Sequence, residues 1–429
     1  PLQAFPLDLN KLDTTTIQML LPAPVPFYVS QRELPNVAKL QEKGVLERVI
    51  VSPHVHSIVE SKCATARAFA ALQSPHAAEL INAFLDRKGV TEQSVRSELY
   101  SLMQQSLPRS GVINASQQES SDDIHLKLRQ LLMSFADRGI VFQKNSCSSG
   151  KGTVLLKPAQ IQTLLASDTN LVHAIEKQMQ FKKYFAGDLQ QEIAKNGLSY
   201  QELVSFKDEV GLNFVYDKTN AAFDIKAINI QQIGEIGNIG GTLFPLNETK
   251  SMTGVDLNPR LFGLMTECVL DVILKQNGVH QGVEALNNAD QQGEQGLSAL
   301  ETFGVDAFSD GSRFILSEFN ARPTSTSRAL YALAHLSQTP LSLPVHRLET
   351  DEVTFSKPVI DTLLKHGEEG AYAYLHHLLK PFYEKTPGMI FDSIRISENY
   401  SAASEQDHIR LCIGFFFTQP KDIHNAAPE

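Results

Sequence analysis

The sequence predicts an α+β chain, α/β in character at its start, divided into several domains. Three observations lead there. The chain has 429 residues, more than one hydrophobic core usually serves. Near its start, short apolar runs ("VPFYVS", "RVIVS") alternate with the polar helical stretch "ELPNVAKLQEKG", the pattern of a small α/β unit. Further on, "LSYQELVSF", "EVGLNFVYD" and "FDIKAINIQQIG" read as consecutive strands, and a second strand pair meets at "DGS", a hairpin turn.

The elements follow in order. "SKCATARAFAALQ", "SPHAAELINAFLDRKG" and "TEQSVRSELYSLMQQSL" read as helices, whose leading Ser and Thr residues are expected to cap the first turn. The polar run 114–123 is a loop or linker, followed by the helix "IHLKLRQLLMSFADRG" and the strand "IVFQK". "AQIQTLLAS" and "NLVHAIEKQMQFKKYF" are helical. The three strands come next, the last two joined at "KTNA", and then a long helix over 257–277 and a polar insertion at 280–300. The hairpin strands are "FGVDAFS" and "RFILSEFNA". The remainder mixes helix ("GAYAYLHHLLKPFY") with the late apolar run "IRLCIGFFFT".

Composition narrows the function classes. Hydrophobic residues make up 42% and charged residues 20%, which excludes a disordered or fibrous chain. A net charge of −10 argues against a nucleic-acid surface, which needs a concentrated basic face. The four cysteines, Cys63, Cys147, Cys268 and Cys412, are scattered, with no pattern of a zinc site or disulfide framework. No apolar run of roughly 18 residues suggests a membrane span, and no leader pattern opens the sequence. The expectation is a cytoplasmic protein that binds neither membrane nor nucleic acid.

Two motifs carry chemistry. In "LSEFNARPT" (316–324), period-two alternation puts Glu318, Asn320 and Arg322 on one face, opposite Phe319 and Ala321. Across the turn, Asp306 lies about where Glu318 would find its hairpin partner. Two carboxylates and an amide oxygen suit Mg²⁺, which keeps several waters and takes further oxygens from nucleotide phosphates. The competing reading is a solvent-facing strand with Arg322 paired to an acid. The second motif, "VFQKNSCSSGKGT" (141–153), is a strand ending in Lys144 and a loop containing Ser149, Gly150, Lys151 and Gly152. Glycines let such a loop wrap phosphates with its N–H groups, and Lys144 adds a point charge. It is not a P-loop, because Asn145 and Gly152 stand where that pattern needs Gly and Ser or Thr. A plain surface loop is the alternative. His54 and His56, an H-x-H in an expected strand, lack a third ligand. Cys147 has no linked base, and His376 and His377 do not share a helix face.

A lysine-and-glycine loop followed far downstream by Asp and Glu-x-Asn in a hairpin resembles the ATP-grasp superfamily, in which two α+β subdomains clasp ATP. The resemblance implies ATP and one or two Mg²⁺ ions as cofactors. It implies Lys144 as the phosphate lysine, residues 146–152 as the lid, and Asp306, Glu318 and Asn320 as the metal set. "YQELVSFKDEVGLNF" looks like the adenine hinge, with Glu202 at the hinge and Glu209 on the ribose hydroxyls. More narrowly, the chain is similar to the preATP-grasp-containing peptide ligases of the pheganomycin ligase type, through "GVINAS" (111–116), "QQIGEIGNIGGTLFP" (231–245) and "EFNARPTSTS" (318–327). That group implies a further basic ATP ligand upstream, for which Arg96 is the candidate. Gly304 departs from the basic residue many carboxylate–amine ligases carry two positions before the metal aspartate, which leaves Arg322 to stabilise developing negative charge.

The implied domains are a preATP-grasp-like region (1–120), an N-terminal ATP-grasp subdomain with the lid (121–200), a C-terminal subdomain with the metal site (201–335) and a C-terminal extension (336–429). The implied activity is an ADP-forming ligase joining a small-molecule carboxylate, such as an amino acid or peptide, to an amine through an acyl phosphate, in a possible homodimer. A kinase of the same fold and a catalytically degenerate nucleotide-binding module are the alternatives.

Overall fold

The computed structural model describes residues 53–321, except 117–118, 146–151, 168–169, 182–187, 218–219, 221, 235–236, 287–299 and 301. It also describes six strands or strand segments outside that span, and residues 377, 380 and 381. Strands β1 (Val25–Phe27) and β2 (Leu46–Val49) pair in parallel. Four helices follow: α1 (Pro53–Val59), α2 (Lys62–Leu72), α3 (Ala77–Arg87) and α4 (Gln93–Ser106). Then come β3 (Ser110–Ile113), α5 (Ser121–Ser134), β4 (Ile140–Lys144), β5 (Thr153–Leu156), α6 (Pro158–Ala166), α7 (Leu171–Phe181) and α8 (Leu189–Asn196). Strands β6 (Leu198–Glu202), β7 (Asp208–Asp217), β8 (Ala222–Gly234) and β9 (Gly237–Phe244) precede α9 (Thr249–Thr253) and α10 (Pro259–Gln276). The hairpin is β10 (Thr302–Ser309) and β11 (Phe314–Asn320), and β12 (Val345–Glu349), β13 (Val353–Thr354), β14 (Met389–Glu398) and β15 (Ile409–Phe417) close the chain.

Local chemistry explains most of these boundaries. Ser61 accepts from the Ala64 N–H at the start of α2, and Ser120 forms a reciprocal capping box with Asp123 at α5. Asn258 caps α10 ahead of Pro259. The expected Ser/Thr caps are absent at α3 and α4, whose caps are His76 and Glu92 with no side-chain bond. The H-x-H strand is a helix instead: Val55, Ile58 and Val59, spaced to share a helical face, are all buried. "LSYQELVSF" is strand only as far as Glu202. The "GAYAYLHHLLKPFY" helix falls largely outside the described residues.

The chain divides into two compact units. One comprises Gln18–Lys226 and Thr249–Thr324, and holds two larger sheets beside the short β1–β2 pair. The first, antiparallel in order β3-β6-β4-β5, buries Ile140, Phe142 and Leu198 against α5, α6, α7 and α8. Residues 110–113 and 198–202 are thus strands of the sheet that carries the Lys144 loop. The second sheet runs β11-β10-β7 and takes in the beginning of β8. Its apolar face stacks Phe214, Phe303 and Phe319, and Phe262 of α10 meets Phe314 edge-on. Helix α10 packs in turn on α1, α2, α3 and α4. The sheets are tied directly: the Gln201 amide of β6 donates to the Ser317 carbonyl of β11 at 2.9 Å. The other unit takes in Ala227–Glu248 and Ser325–Glu429. Within it β9 pairs with β12, and β15 pairs with β12, β13 and β14, all antiparallel.

Candidate active site

The hairpin is built around one irregularity. Asp306 pairs with Glu318 and Ala307 with Leu316, so Ser317 is a one-residue bulge. Period two alone would put Leu316 and Glu318 on the same face. Leu316 is fully buried in the core, and the bulge is what lets Glu318, two residues on, turn to the other face. The bulged residue's carbonyl is the one that Gln201 takes. Directly opposite residues share a face, so Glu209, Gly211 and Asn213 of β7 lie beside Phe308, Asp306 and Gly304 of β10, and Glu318 and Asn320 of β11 complete that polar face. The other face presents Val210, Leu212, Phe214, Phe303, Val305, Ala307 and Phe319 to the core.

The polar face concentrates negative charge. Asn320 donates to Asp306 at 2.9 Å. Burial, and then repulsion from Glu318, hold the Asp306 carboxyl well above the usual carboxylate range. The same two causes push Glu209 up to about 7. A buried lysine counters them: the Lys62 ammonium, at the head of α2, pairs with the Glu318 carboxylate, and both side chains are largely shielded. Among the described residues no three His, Cys, Asp or Glu side chains converge as a ready metal cage. Asp306, Glu318 and Asn320 are two acids and an amide. Their hard oxygens and crowded charge fit a divalent cation that keeps water or phosphate oxygens in the rest of its shell.

The Lys144 loop lies close by along the chain of contacts. The Lys144 N–H donates to the Gly152 carbonyl at 3.1 Å, closing the base of the loop, and its ammonium sits 3.4 Å from Glu192. Gly152 has φ +69°, a conformation that a side chain would strain. Asn145, next in sequence, fastens α2. Its side-chain oxygen accepts from the Ser61 hydroxyl (2.7 Å) and the Cys63 N–H (3.0 Å), and its carbonyl accepts from the Lys62 N–H (3.2 Å). One residue therefore separates the strand-end lysine from the helix that carries the buried one.

Beyond Glu202, whose carboxylate faces Arg138 at 3.4 Å, residues 203–207 join the two sheets. The exposed Phe206 stacks on Phe308 at 4.6 Å, two residues along β10 from Asp306 and on the same face. Arg96 is committed to α3 and its end, donating to Asp86, Asn82 and the Val90 carbonyl. Ser149, Gly150, Lys151, Cys147 and Arg322 lie outside the described residues. Sequence reasoning missed Lys62, Asn145, Phe206 and Phe308. Lys62 heads a helix whose next four residues, Cys63, Ala64, Thr65 and Ala66, are all buried, an environment the sequence does not display and one in which a lysine must find a partner.

No family model and no curated protein matches the chain. Solved structures do. N5-carboxyaminoimidazole synthetase from Staphylococcus aureus, complexed with ADP, aligns at a TM-score of 0.42 and 10% identity over 96% of this chain and 83% of its own. Carboxyaminoimidazole ribonucleotide synthase from Aspergillus clavatus, complexed with ATP, aligns at 0.40 and 11% over 93% and 76%. The biotin carboxylase domain dimer of Hydrogenobacter thermophilus 2-oxoglutarate carboxylase, with MgADP, ADP and bicarbonate, aligns at 0.45 and 8% over 95% and 72%. Likenesses this distant leave the reaction to be argued from the side chains themselves.

Proposed function

We propose that the chain is an ATP-grasp ligase of the ADP-forming kind, joining a carboxylate to an amine, with an amino acid or peptide as the substrate class. The observation that carries this reading is the polar face of the bulged hairpin. Asp306 and Glu318 face each other, Asn320 is bonded to Asp306, and a buried lysine lies on Glu318. Asp306, Glu318 and Asn320 would hold Mg²⁺, which would supply positive charge to offset that developing in phosphoryl transfer. Lys144 and the Ser149–Gly152 backbone hold the phosphates. Glu209 accepts from the ribose hydroxyls, Glu202 lies at the hinge, and the Phe206–Phe308 stack offers an apolar shelf for the base. A substrate carboxylate oxygen attacks the γ-phosphorus and ADP leaves. The amine nitrogen then attacks the acyl carbon, loses a proton and expels inorganic phosphate, with Arg322 steadying the oxyanion. Closure of the glycine loop keeps the acyl phosphate from water.

Glu318→Gln removes one charge from the metal set with little change in shape. ADP release with a pool of acids and amines is expected to fall at least ~100-fold. Phosphate release should require an amine in the wild type. Undiminished turnover in the variant, or phosphorylation of a hydroxyl without phosphate release, would sink the reading.

A further inference from the structure

We propose that Lys62 is a resident counter-ion of the metal site: it holds Glu318 until a metal–nucleotide takes that carboxylate, and its ammonium then passes to the incoming phosphates. The inference rests on the functional reading above and adds to it a residue and an order of events.

Helix stability does not account for Lys62. It is the first residue of α2, where unpaired N–H groups already concentrate positive charge and a cation is disfavoured. Its side chain is only 6% exposed, so the charge has been taken from water and must be compensated locally. The compensation comes from Glu318, a residue of the metal set on a different element. Apart from the exposed Arg67, the rest of α2 is built of small and apolar residues that seat it against β3, β6 and β11, which fixes the backbone from which the lysine reaches.

The fastening of α2 gives that place a meaning. Asn145 receives three bonds from the first turn, from Ser61, Lys62 and Cys63, and it immediately follows Lys144 at the mouth of the glycine loop. Lys62 therefore links Asn145, next to the strand-end Lys144, to the acids that would grip the cation. Glu209, Asp306 and Glu318 put three carboxyl groups on one face against a single ammonium, an oxygen-rich set that a dication can draw to itself. A dication at Glu318 repels the ammonium already there. Phosphate oxygens, arriving with the same metal, are anions within reach of a flexible lysine. Metal alone must displace Lys62 at a cost, whereas the metal–nucleotide offers it a new partner. That difference makes the site select the complex over the free ion.

The test uses Mn²⁺ and ADP as probes on the full chain. Mn²⁺ alone is expected to bind Lys62→Met about tenfold more tightly than wild type, because the competing ammonium is gone. ADP in saturating Mn²⁺ is expected to bind the variant about tenfold more weakly. Lys62→Arg keeps the charge and should keep the wild-type preference for metal with nucleotide. A crystal structure of the wild type with Mn²⁺ and ADP, which depends on no variant folding, should find the Lys62 nitrogen on a phosphate oxygen and off Glu318. Equal Mn²⁺ affinities, or a loaded wild type with Lys62 still on Glu318, would overturn the counter-ion role alone. A wild type that binds neither Mn²⁺ nor ADP would overturn the functional reading with it.

Discussion

Asp310 shows how much one side chain can organise next to the candidate site. It follows β10 directly, and its carboxylate accepts from the Ser312 N–H (2.9 Å), the Ser312 hydroxyl (2.6 Å), the Arg313 N–H (3.0 Å) and the Arg313 guanidinium (3.0 Å). The Ser312 hydroxyl is the largest influence in holding this carboxyl down at about 2, against an ordinary value of 3.8. A carboxyl lowered on folding stabilises only while ionised. Its contribution is complete above about 3.8 and is lost as the pH falls through about 2. Asp310→Asn is therefore expected to lower stability by ~1 kcal/mol near neutral pH. Thermal unfolding followed by circular dichroism should show the gap to wild type closing between those two pH values. A gap that stayed constant with pH would mean that the charge of Asp310 does nothing at the turn. The turn was legible from "DGS", because Asp, Gly and Ser each favour turns for their own stereochemical reason. Lys62 was not, because burial is a property of the neighbours that fold over it.

At the scale of elements, α10 is the beam against which α1 to α4 and the β7–β10–β11 sheet are assembled, and Glu267 fixes its position. The carboxylate is almost wholly buried; it accepts from the Phe223 N–H at the start of β8 (2.5 Å) and meets the Lys88 ammonium just past α3 (2.7 Å). Burial raises its pKa, and Lys88 opposes that rise. Glu267→Ala removes the acceptor and the ion-pair partner together and is expected to cost roughly 3 kcal/mol. Glu267→Gln keeps an acceptor oxygen and should cost about a third of that. Urea unfolding separates the two, and equal losses would show that the helix is placed by its apolar contacts alone. Elements of this kind were largely readable: α10, α5 and the β10–β11 pair each have a strong period and an end signal. The failures share a cause. "PHVHSIV" carries both β-branched residues and helical spacing, and the spacing won because Val55, Ile58 and Val59 had a core to enter. The bulge at Ser317 leaves no mark in an alternating pattern; it is required only because Leu316 and Glu318 must face opposite ways.

For the whole molecule, the described candidate residues fall in one of the two compact units, the one containing Gln18–Lys226 and Thr249–Thr324. Within it, three links join the sheet that carries Lys144 to the acidic hairpin: Asn145 to the first turn of α2, Lys62 to Glu318, and Gln201 to the Ser317 carbonyl. A ligand that engages both the loop and the acids should therefore stiffen these links together. The β14–β15 pair, in the other unit, contains none of the proposed ligands. MgADP at about a hundred times its dissociation constant adds ~2.7 kcal/mol to whatever opening it opposes, enough to slow exchange about a hundredfold where opening and ligand release are coupled. Hydrogen exchange with and without MgADP should then show protection in the first turn of α2, in β4 and β5, and in β10 and β11, with 389–398 and 409–417 unchanged. Chelating the Mg²⁺ should remove most of the protection at β10 and β11 and leave part of it at β4 and β5, because in the proposed mode the loop would meet phosphates directly and the acids only through the cation. Protection centred on β14 and β15 would place the nucleotide in the other unit and overturn the assignment of both motifs.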